Sequence, residues 1–211
     1  MLEQLAHRRD AWRRICASRR LPRRVQEWPF LRAAPCPQAG PPASIRLSQT
    51  VDLMISVQLH GQRFQVRAAA IVVDSGHVLL HRAPGDAHWA LPGGRVEVGE
   101  AASAAIVREM KEELGEDVEC GELLHIAENF FDLGGRRNHE IGFYFLVSLP
   151  QASDHLDKAR IYSGLEGSKN LEFRWFALSE LASINLRPTF LQVSLVAHPL
   201  VFSHAIQREY E

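Results

Sequence analysis

The feature that most constrains this chain is a run of glycines and charged residues at fixed spacing between positions 93 and 115. A Gly93-Gly94 pair precedes the segment 101–114, which is rich in Ala, Glu, Met and Leu. Apolar residues recur there every three to four positions, which predicts a helix with one buried face, and Gly115 suits its C-terminal cap. At about 100° per residue, three glutamates lie on the arc beside the apolar residues. The apolar positions are Ile106, Met110 and Leu114, and the acidic positions are Glu109, Glu112 and Glu113.

Three glutamates on one helical face call for a compensating charge, because like charges one turn apart destabilise a helix. Carboxylate oxygens are the ligands that Mg²⁺ and Mn²⁺ prefer, and the glycine pair lets the backbone bend so that the Gly94 carbonyl can join them. Arg108, one turn before Glu112, is placed to orient a carboxylate. We therefore expect divalent metal to be held by Gly94, Glu109, Glu112 and Glu113, and the spacing leaves the number of ions open. A solvated acidic helix face is the alternative interpretation.

The same spacing resembles the Nudix box, G-x5-E-x7-R-E-U-x-E-E-x-G-U, in which U is apolar. The match begins at Gly94 and includes every fixed Gly, Glu and Arg of the pattern. With the strand patterns on either side, the resemblance covers roughly residues 54–200. Two positions depart from the pattern. Glu116 stands at the last apolar position, and Ala101 stands where relatives often carry Ser or Thr, which puts in doubt the packing after the helix and its side-chain N-cap.

The resemblance implies an activity. It implies that water hydrolyses a diphosphate linkage in a nucleotide-sugar, an ADP-ribose-like molecule, a dinucleotide or a nucleoside triphosphate, with Mg²⁺ or Mn²⁺ on the phosphate oxygens. A base must then deprotonate the water, and Glu109 in the box and Glu140 on a later strand are the candidates. We favour Glu140, as the base or as a third metal ligand, because Glu109 and Glu113 are assigned to the cation. An ordinary exposed strand glutamate is an equal alternative. Arg108 completes the expected catalytic set.

Strand patterns surround the predicted helix. Apolar runs separated by turn residues predict strands at 55–59, 64–73, 77–82, 118–131, 140–149 and 171–176, the last of them being the final strand. Residues 179–181 and 188–196 are predicted to be helical, with Pro188 at a first helical position. Because strands lie on both sides of the central helix without a regular alternation, we expect an α+β fold, an α/β/α sandwich with a central mixed sheet.

Basic and imidazole side chains near the box are candidate ligands of a substrate or a metal. Arg82 and Arg95 are assigned to substrate phosphates, and Arg136 and Arg137 suit either a phosphate or a soluble hairpin turn. Three histidines have no common ligand spacing and are interpreted as surface residues. These are His81, His88 and His139.

Aromatic side chains are the candidates for stacking on a base. We assign this role to Trp89 and Phe131 and keep Phe130 and Tyr144 as further candidates. Because aromatic residues on strands usually belong to the core, at least half of the four are expected to be buried.

Residues 1–53 differ in composition from the remainder. They hold ten basic and four acidic residues, whereas residues 54–211 hold 14 and 21. Four Arg-Arg pairs and a Pro-rich stretch predict a flexible extension outside the domain, which then comprises residues 54–211. A native arm, an organelle transit peptide and translated sequence before a start at Met54 are all open, and Glu3 and Asp10 count against the transit peptide.

The acidic balance of the domain bears on its partners. A protein that binds nucleic acid usually carries its basic surplus on the folded domain, so we expect a small nucleotide substrate and not a nucleic acid. No apolar run reaches the ~20 residues of a membrane span, and three cysteines without paired spacing suit a reducing cytoplasm. A non-catalytic nucleotide sensor that uses its basic arm to bind a partner or nucleic acid is the alternative function. The intact set of carboxylates favours the enzyme.

Overall fold

The computed structural model describes residues 53–167, 169–197 and 200–210. The predicted extension therefore lies outside the described residues, apart from Leu53. In order along the chain, the described elements are β1 (Ser56–Leu59), β2 (Gln62–Asp74), β3 (His77–Arg82), α1 (Ala102–Leu114), β4 (Glu119–Leu133), β5 (Arg136–Ser148), β6 (Ile161–Glu166), β7 (Lys169–Ala177), α2 (Leu191–Ser194) and β8 (Ser203–Arg208). Two 3₁₀-helical turns span Asp154–Leu156 and Leu178–Ser183.

The strands form one mixed sheet in the order β6-β7-β3-β2-β5-β4-β8, with β1 paired to β2. The β2–β5 and β4–β8 pairs are parallel and the other pairs are antiparallel. Helix α1 packs on one face through Ile106 and Met110, which are fully buried, while Leu181 and Leu191 cover the other face. The expected α+β sandwich with a mixed central sheet is confirmed.

Strands β2 and β3 separate after only two paired positions, Val73↔Val78 and Asp74↔His77. The chain segment 90–96 fills the gap, because the Ala68 and Ala70 amides donate to the carbonyls of Gly94 and Pro92. On its other side, His81 exchanges two backbone hydrogen bonds with Ala90. The Gly93-Gly94 pair, called the glycine corner from here on, is thus held by backbone hydrogen bonds between two central strands, before α1 begins.

Several local predictions hold. Helix α1 ends at Gly115, whose φ of 77° lies in the left-handed region, and Ala101 provides no side-chain N-cap to the described helix. The β4–β5 hairpin turns at Gly134 and Gly135, both at positive φ, as a two-residue turn between twisted strands requires. Arg136 and Arg137, which were expected in the turn, both belong to β5.

The predictions for the last third of the domain were partly wrong. Residues 171–176 are not the final strand, since β8 follows, and β6 was not predicted at all. Both missed strands lack a regular apolar alternation. Strand β8 pairs with β4, which is distant in sequence, whereas β6 forms a hairpin with the strand that follows it, β7. The predicted helix at 188–196 is only four residues long, Leu191–Ser194, and residues 179–181 lie in a 3₁₀ turn.

Candidate active site

The innermost contact of the glycine corner joins Gly93 to Glu113 on α1. The Gly93 amide donates to Glu113 Oε2 at 3.3 Å. Gly93 has a φ of 129°, and a Cβ there would overlap the Ala68 carbonyl oxygen, so the strand and the corner approach as closely as a residue without a side chain permits.

Gly94 provides space for a second carboxylate. A Cβ on Gly94 would overlap the carboxylate of Glu109, which lies directly against this backbone. The Gly94 carbonyl, an expected cation ligand, accepts the Ala68 amide at 2.9 Å. This bond uses one of the two lone pairs of the oxygen.

Arg108 is the centre of an ion-pair network beside the corner. Its guanidinium binds Glu100 through Nε at 2.9 Å and Nη2 at 3.0 Å, and Nη1 donates to Glu109 Oε1 at 2.8 Å. The same side chain donates to the Arg95 carbonyl at 3.2 Å. Glu112, the partner expected from the spacing, is contacted at only 3.4 Å and its side chain is 59% exposed. The residue that Arg108 mainly holds is therefore Glu100, and through Nη1 it orients Glu109.

Burial disfavours the charged forms of two of these carboxylates. It raises the pKa of Glu113 to about 8 and also raises the pKa of Glu109, against the opposing effect of Arg108. By contrast, the hydrogen bonds from Arg108 lower the pKa of Glu100. Glu113 Oε1 is buried and accepts no hydrogen bond from any described residue. A buried carboxylate without compensation is an arrangement that a cation would stabilise.

His81 was predicted to be a surface residue, and this was wrong. Its side chain points from β3 into the protein and is 8% exposed, with Nδ1 3.7 Å from Glu113 Oε2. Burial, assisted by the charge of Arg67, lowers the pKa of His81 to about 3. With the pKa of Glu113 near 8, both groups are neutral between these values, so the contact is not an ion pair. His88 and His139 are half-buried, and His139 stacks on Phe130 at 4.4 Å.

The expected cation ligands come together only in part. Glu109 and Glu113 both contact the glycine corner, whereas Glu112 faces solvent. Within the described ranges, no three Asp, Glu, His or Cys side chains already surround one point at which a metal ion would fit. The donor set still fits a hard cation, because it consists of carboxylate oxygens, one of them without a partner.

A cleft of about 650 Å³ extends from the corner across the sheet. Of the residues assigned to substrate, Arg82, Arg95 and Phe131 line it. Arg82 is paired with Glu172 at 3.1 Å and covers the ring of Trp89 at 4.3 Å. Trp89 itself is 8% exposed and packs on Phe176, so its predicted place at the surface of a stacking site was wrong.

The other candidates divide between cleft and core. Tyr144 is 2% exposed, so two of the four aromatic residues are buried, as expected. Phe130 and Phe131 are half-buried. Arg137 covers the ring of Tyr210 at 5.0 Å, and among the described residues neither it nor Arg136 lines the cleft.

Glu140 lies in the same cleft. It is 6% exposed and accepts hydrogen bonds from Gln65 Nε2 at 2.7 Å and Asn129 Nδ2 at 3.1 Å. The alternative of an ordinary exposed strand glutamate was therefore wrong.

Sequence reasoning missed several cleft residues. Arg67 lines the cleft and donates to the Leu91 carbonyl at 3.3 Å. Glu166, at the end of β6, also lines the cleft, and its charge contributes to the raised pKa of Glu113. Polar Gln65 and Arg67, at alternate positions directly before the apolar run of β2, were the available signal.

The fold and the site together define an α+β domain with a carboxylate centre beside a glycine corner. The family model described as NUDIX domain matches residues 63–194, so the chain belongs to the Nudix family.

Two curated relatives come from Escherichia coli (strain K12). A CTP pyrophosphohydrolase is 36% identical over 75 residues, which are 34% of this chain and 54% of that protein. An 8-oxo-dGTP diphosphatase is 34% identical over 58 residues, 26% of this chain and 45% of that protein. The alignments thus span about half the length of these relatives.

Among solved structures, a mutator MutT protein from Bacillus halodurans superposes with a TM-score of 0.50 at 22% identity. The match covers 70% of this chain and 93% of that chain, and it supports the fold alone. Within the described residues, no helix is long and apolar enough to span a bilayer.

Proposed function

We propose that this protein hydrolyses a diphosphate linkage in a nucleoside diphosphate derivative or nucleoside triphosphate with the help of a divalent cation. The observation that carries the proposal is the pair of buried carboxylates, Glu109 and Glu113, packed against a glycine corner beside a cleft lined by arginines. The names of the two curated relatives, a CTP pyrophosphohydrolase and an 8-oxo-dGTP diphosphatase, support a nucleotide substrate.

The proposed cation is Mg²⁺ or Mn²⁺, held by Glu109 and Glu113 with Glu112 and the Gly94 carbonyl. When bound, it would polarise phosphate oxygens and neutralise charge that develops on them. The fit rests on the hard oxygen donors and on the unpartnered Glu113 oxygen described above.

The protein's own residues would hold and orient the reactants. Arg108 fixes the orientation of Glu109 through a charge-assisted hydrogen bond. Arg67, Arg82 and Arg95 line the cleft and supply positive charge for substrate phosphates. Arg82 would keep its pairing with Glu172 or exchange it for a phosphate.

Three carboxylates are candidates for the base that takes the proton from water. Glu109 and Glu140 are the candidates from the sequence, and the structure adds Glu166, whose charge acts on Glu113. A base must come within hydrogen-bond reach of the attacking water. Replacing each residue by Gln and comparing the pH dependence of kcat identifies the one whose ionisation is needed.

The proposal is tested by product release from ADP-ribose, dinucleoside polyphosphates, NADH and nucleoside triphosphates in the presence of Mg²⁺ or Mn²⁺. We expect one class to be hydrolysed, and Glu113→Gln to lower kcat by roughly a hundredfold or more, since an electrostatic centre of this kind contributes that much. Glu122→Gln, an exposed residue of β4, is the matched control and should keep wild-type activity.

Two outcomes contradict the proposal. Equal turnover in the wild type and Glu113→Gln would show that the carboxylate centre has no part in the reaction. Nucleotide binding without product release from any of these substrates would instead indicate a sensor domain.

A further inference from the structure

Four polar side chains form a row across the sheet, on the face that lines the cleft. Each occupies the position opposite the next: Gln65 on β2 pairs with Glu140 on β5, Glu140 with Asn129 on β4, and Asn129 with Gln207 on β8. All four line the cleft. Residues directly opposite each other on neighbouring strands have adjacent side chains, so this polar row is continuous over four strands.

Glu140 is the fixed acceptor within the polar row. One of its carboxylate oxygens accepts from Gln65 at 2.7 Å and the other from Asn129 at 3.1 Å. A carboxylate has about four acceptor positions, so each oxygen keeps one for a ligand. The two amides also fix the plane of the carboxylate, which presents its two oxygens side by side.

Asn129 adds a further acceptor. Its Nδ2 donates to both Glu140 and the Tyr144 hydroxyl, at 3.1 and 3.0 Å. The carboxylate of Glu140 can only accept, so this contact defines which end of the amide is nitrogen. Its Oδ1 is buried and has no hydrogen-bond partner in the described part of the chain. The Tyr144 ring reaches Asn129 across Gly142, where a Cβ would meet the ring at 2.7 Å. The polar row therefore holds more acceptors than donors, which suits a ligand rich in N–H groups.

The position of Glu140 separates it from the carboxylate centre. The glycine corner is bonded to Ala68 on the β3 side of β2, whereas Glu140 pairs with Gln65 on the β5 side, three residues or about 10 Å back along the strand. Glu113 contacts Gly93 and His81, whereas Glu140 contacts Gln65 and Asn129. Glu140 is thus placed to contact a part of the substrate other than the reacting phosphate.

Phe131 provides a flat apolar surface next to the polar row. It follows Asn129 by two residues, which puts both side chains on the same face of β4, and it lines the cleft half-buried. An aromatic ring beside a row of hydrogen-bonding groups is the arrangement with which proteins bind a nucleobase, by stacking and edge contacts together.

We propose that the polar row recognises the edge of a nucleobase with two adjacent N–H donors, and that Glu140 is its specificity-determining residue. Among the common bases only guanine places a ring N–H beside an exocyclic amino group, so both donors can meet the two oxygens of one carboxylate. The proposal rests on the proposed function only in taking the cleft to be a nucleotide site. It removes Glu140 from the candidates for the catalytic base.

The test is calorimetric binding of GMP, IMP, CMP and AMP to the full-length protein with Mg²⁺. IMP keeps the ring N–H and lacks the amino group. We expect GMP to bind about tenfold more tightly than IMP, as for one bidentate base contact, and more tightly than CMP or AMP. Glu140→Gln, which offers only one acceptor oxygen, should reduce the GMP to IMP ratio to about threefold or less.

Glu128→Gln is the matched control. Glu128 precedes Asn129 on β4, so its side chain lies on the opposite face of the sheet, where it pairs with His204. It should keep the wild-type ratio. Thermal melting verifies folding, and Glu140→Asp, which retains the charge, serves as a second variant if Glu140→Gln unfolds. Glu140→Asp should also weaken the discrimination, since its shorter side chain cannot meet both donors.

Equal binding of GMP and IMP, a preference for CMP or AMP, or an unchanged ratio in a folded Glu140 variant would overturn the inference. A loss of kcat at an unchanged ratio would return Glu140 to the role of base. Because binding requires no turnover, selective GMP binding without hydrolysis would support the polar row and contradict only the proposed reaction.

Discussion

Gly93 and Gly94 exclude a side chain for two different physical reasons. Gly93 is required by the backbone, because its φ is positive and a Cβ would overlap the Ala68 carbonyl, which strand pairing holds in place. Gly94 is required by a side chain, since its Cβ would overlap only the end of Glu109. One glycine therefore serves the fold and the other serves the site.

Substituting each glycine separates these roles. Gly93→Ala should lower stability by roughly 1–3 kcal/mol or prevent folding, as expected for strain at such a backbone position. Gly94→Ala should fold, because a flexible carboxylate can move, yet lose turnover at least tenfold. Urea unfolding and kcat measured on both variants check this. A Gly94→Ala variant with wild-type kcat would show that the position of Glu109 is unimportant.

At the scale of elements, Glu116 explains how α1 is joined to the rest of the domain without the usual apolar residue. Its carboxylate accepts hydrogen bonds from the Ser153 hydroxyl and from His155 Nδ1, the latter at 2.6 Å. His155 is in turn held by Trp175, whose Nε1 donates to its carbonyl at 2.7 Å. These hydrogen bonds of Glu116 thus replace the apolar packing that the sequence had put in doubt.

Glu116→Ala should release the 3₁₀ turn Asp154–Leu156 from the end of α1. We expect a loss of roughly 1–3 kcal/mol in the free energy of unfolding, the range for hydrogen bonds to a charged group. Glu119→Ala, at an exposed position on β4, is the control, and thermal melting compares the two. Identical melting temperatures would show that the hydrogen bonds of Glu116 contribute nothing to stability.

Elements also show which features the sequence could predict. Helix α1, its Gly115 cap and the Gly134-Gly135 turn depend on neighbours a few residues away, so spacing predicted them. The polar row depends on the register of strands 75 residues apart, as for Gln65 and Glu140. A shift of one residue would place every side chain on the opposite face, and spacing along the chain contains no information on that register. Strand β8, which pairs with the distant strand β4, was missed for the same reason.

For the whole molecule, the buried carboxylates link stability to pH. The pKa of Glu113 is raised from 4.5 to about 8 by burial, so between these values the folded form keeps a proton that the unfolded chain has lost. The stability that this proton contributes is fully present below about pH 4.5 and is lost as the pH rises through about 8. The cation-free protein should therefore become less stable toward alkaline pH.

Urea unfolding in EDTA at about pH 5, 7 and 9 measures this effect. Relative to Glu113→Gln, which does not titrate at this position, the wild type should lose stability between about pH 5 and pH 8, by up to about 1.4 kcal/mol per pH unit, and lose little more above pH 8. Mg²⁺ added at about pH 9 should restore part of the loss in the wild type only, because the cation binds the ionised carboxylate. Parallel curves for the two proteins would rule out a buried titrating Glu113.

Strand β2 takes part in both halves of the cleft. Its Ala68 and Ala70 amides hold the glycine corner on one side, and its Gln65 holds Glu140 on the other. If the polar row selects the base as proposed, a change in β2 that alters this selection will also disturb the glycine corner. Evolution of a new substrate preference is less constrained from β4 and β8, which contribute Asn129, Phe131 and Gln207 to the cleft. We expect related enzymes with different substrates to diverge first on that side of the sheet.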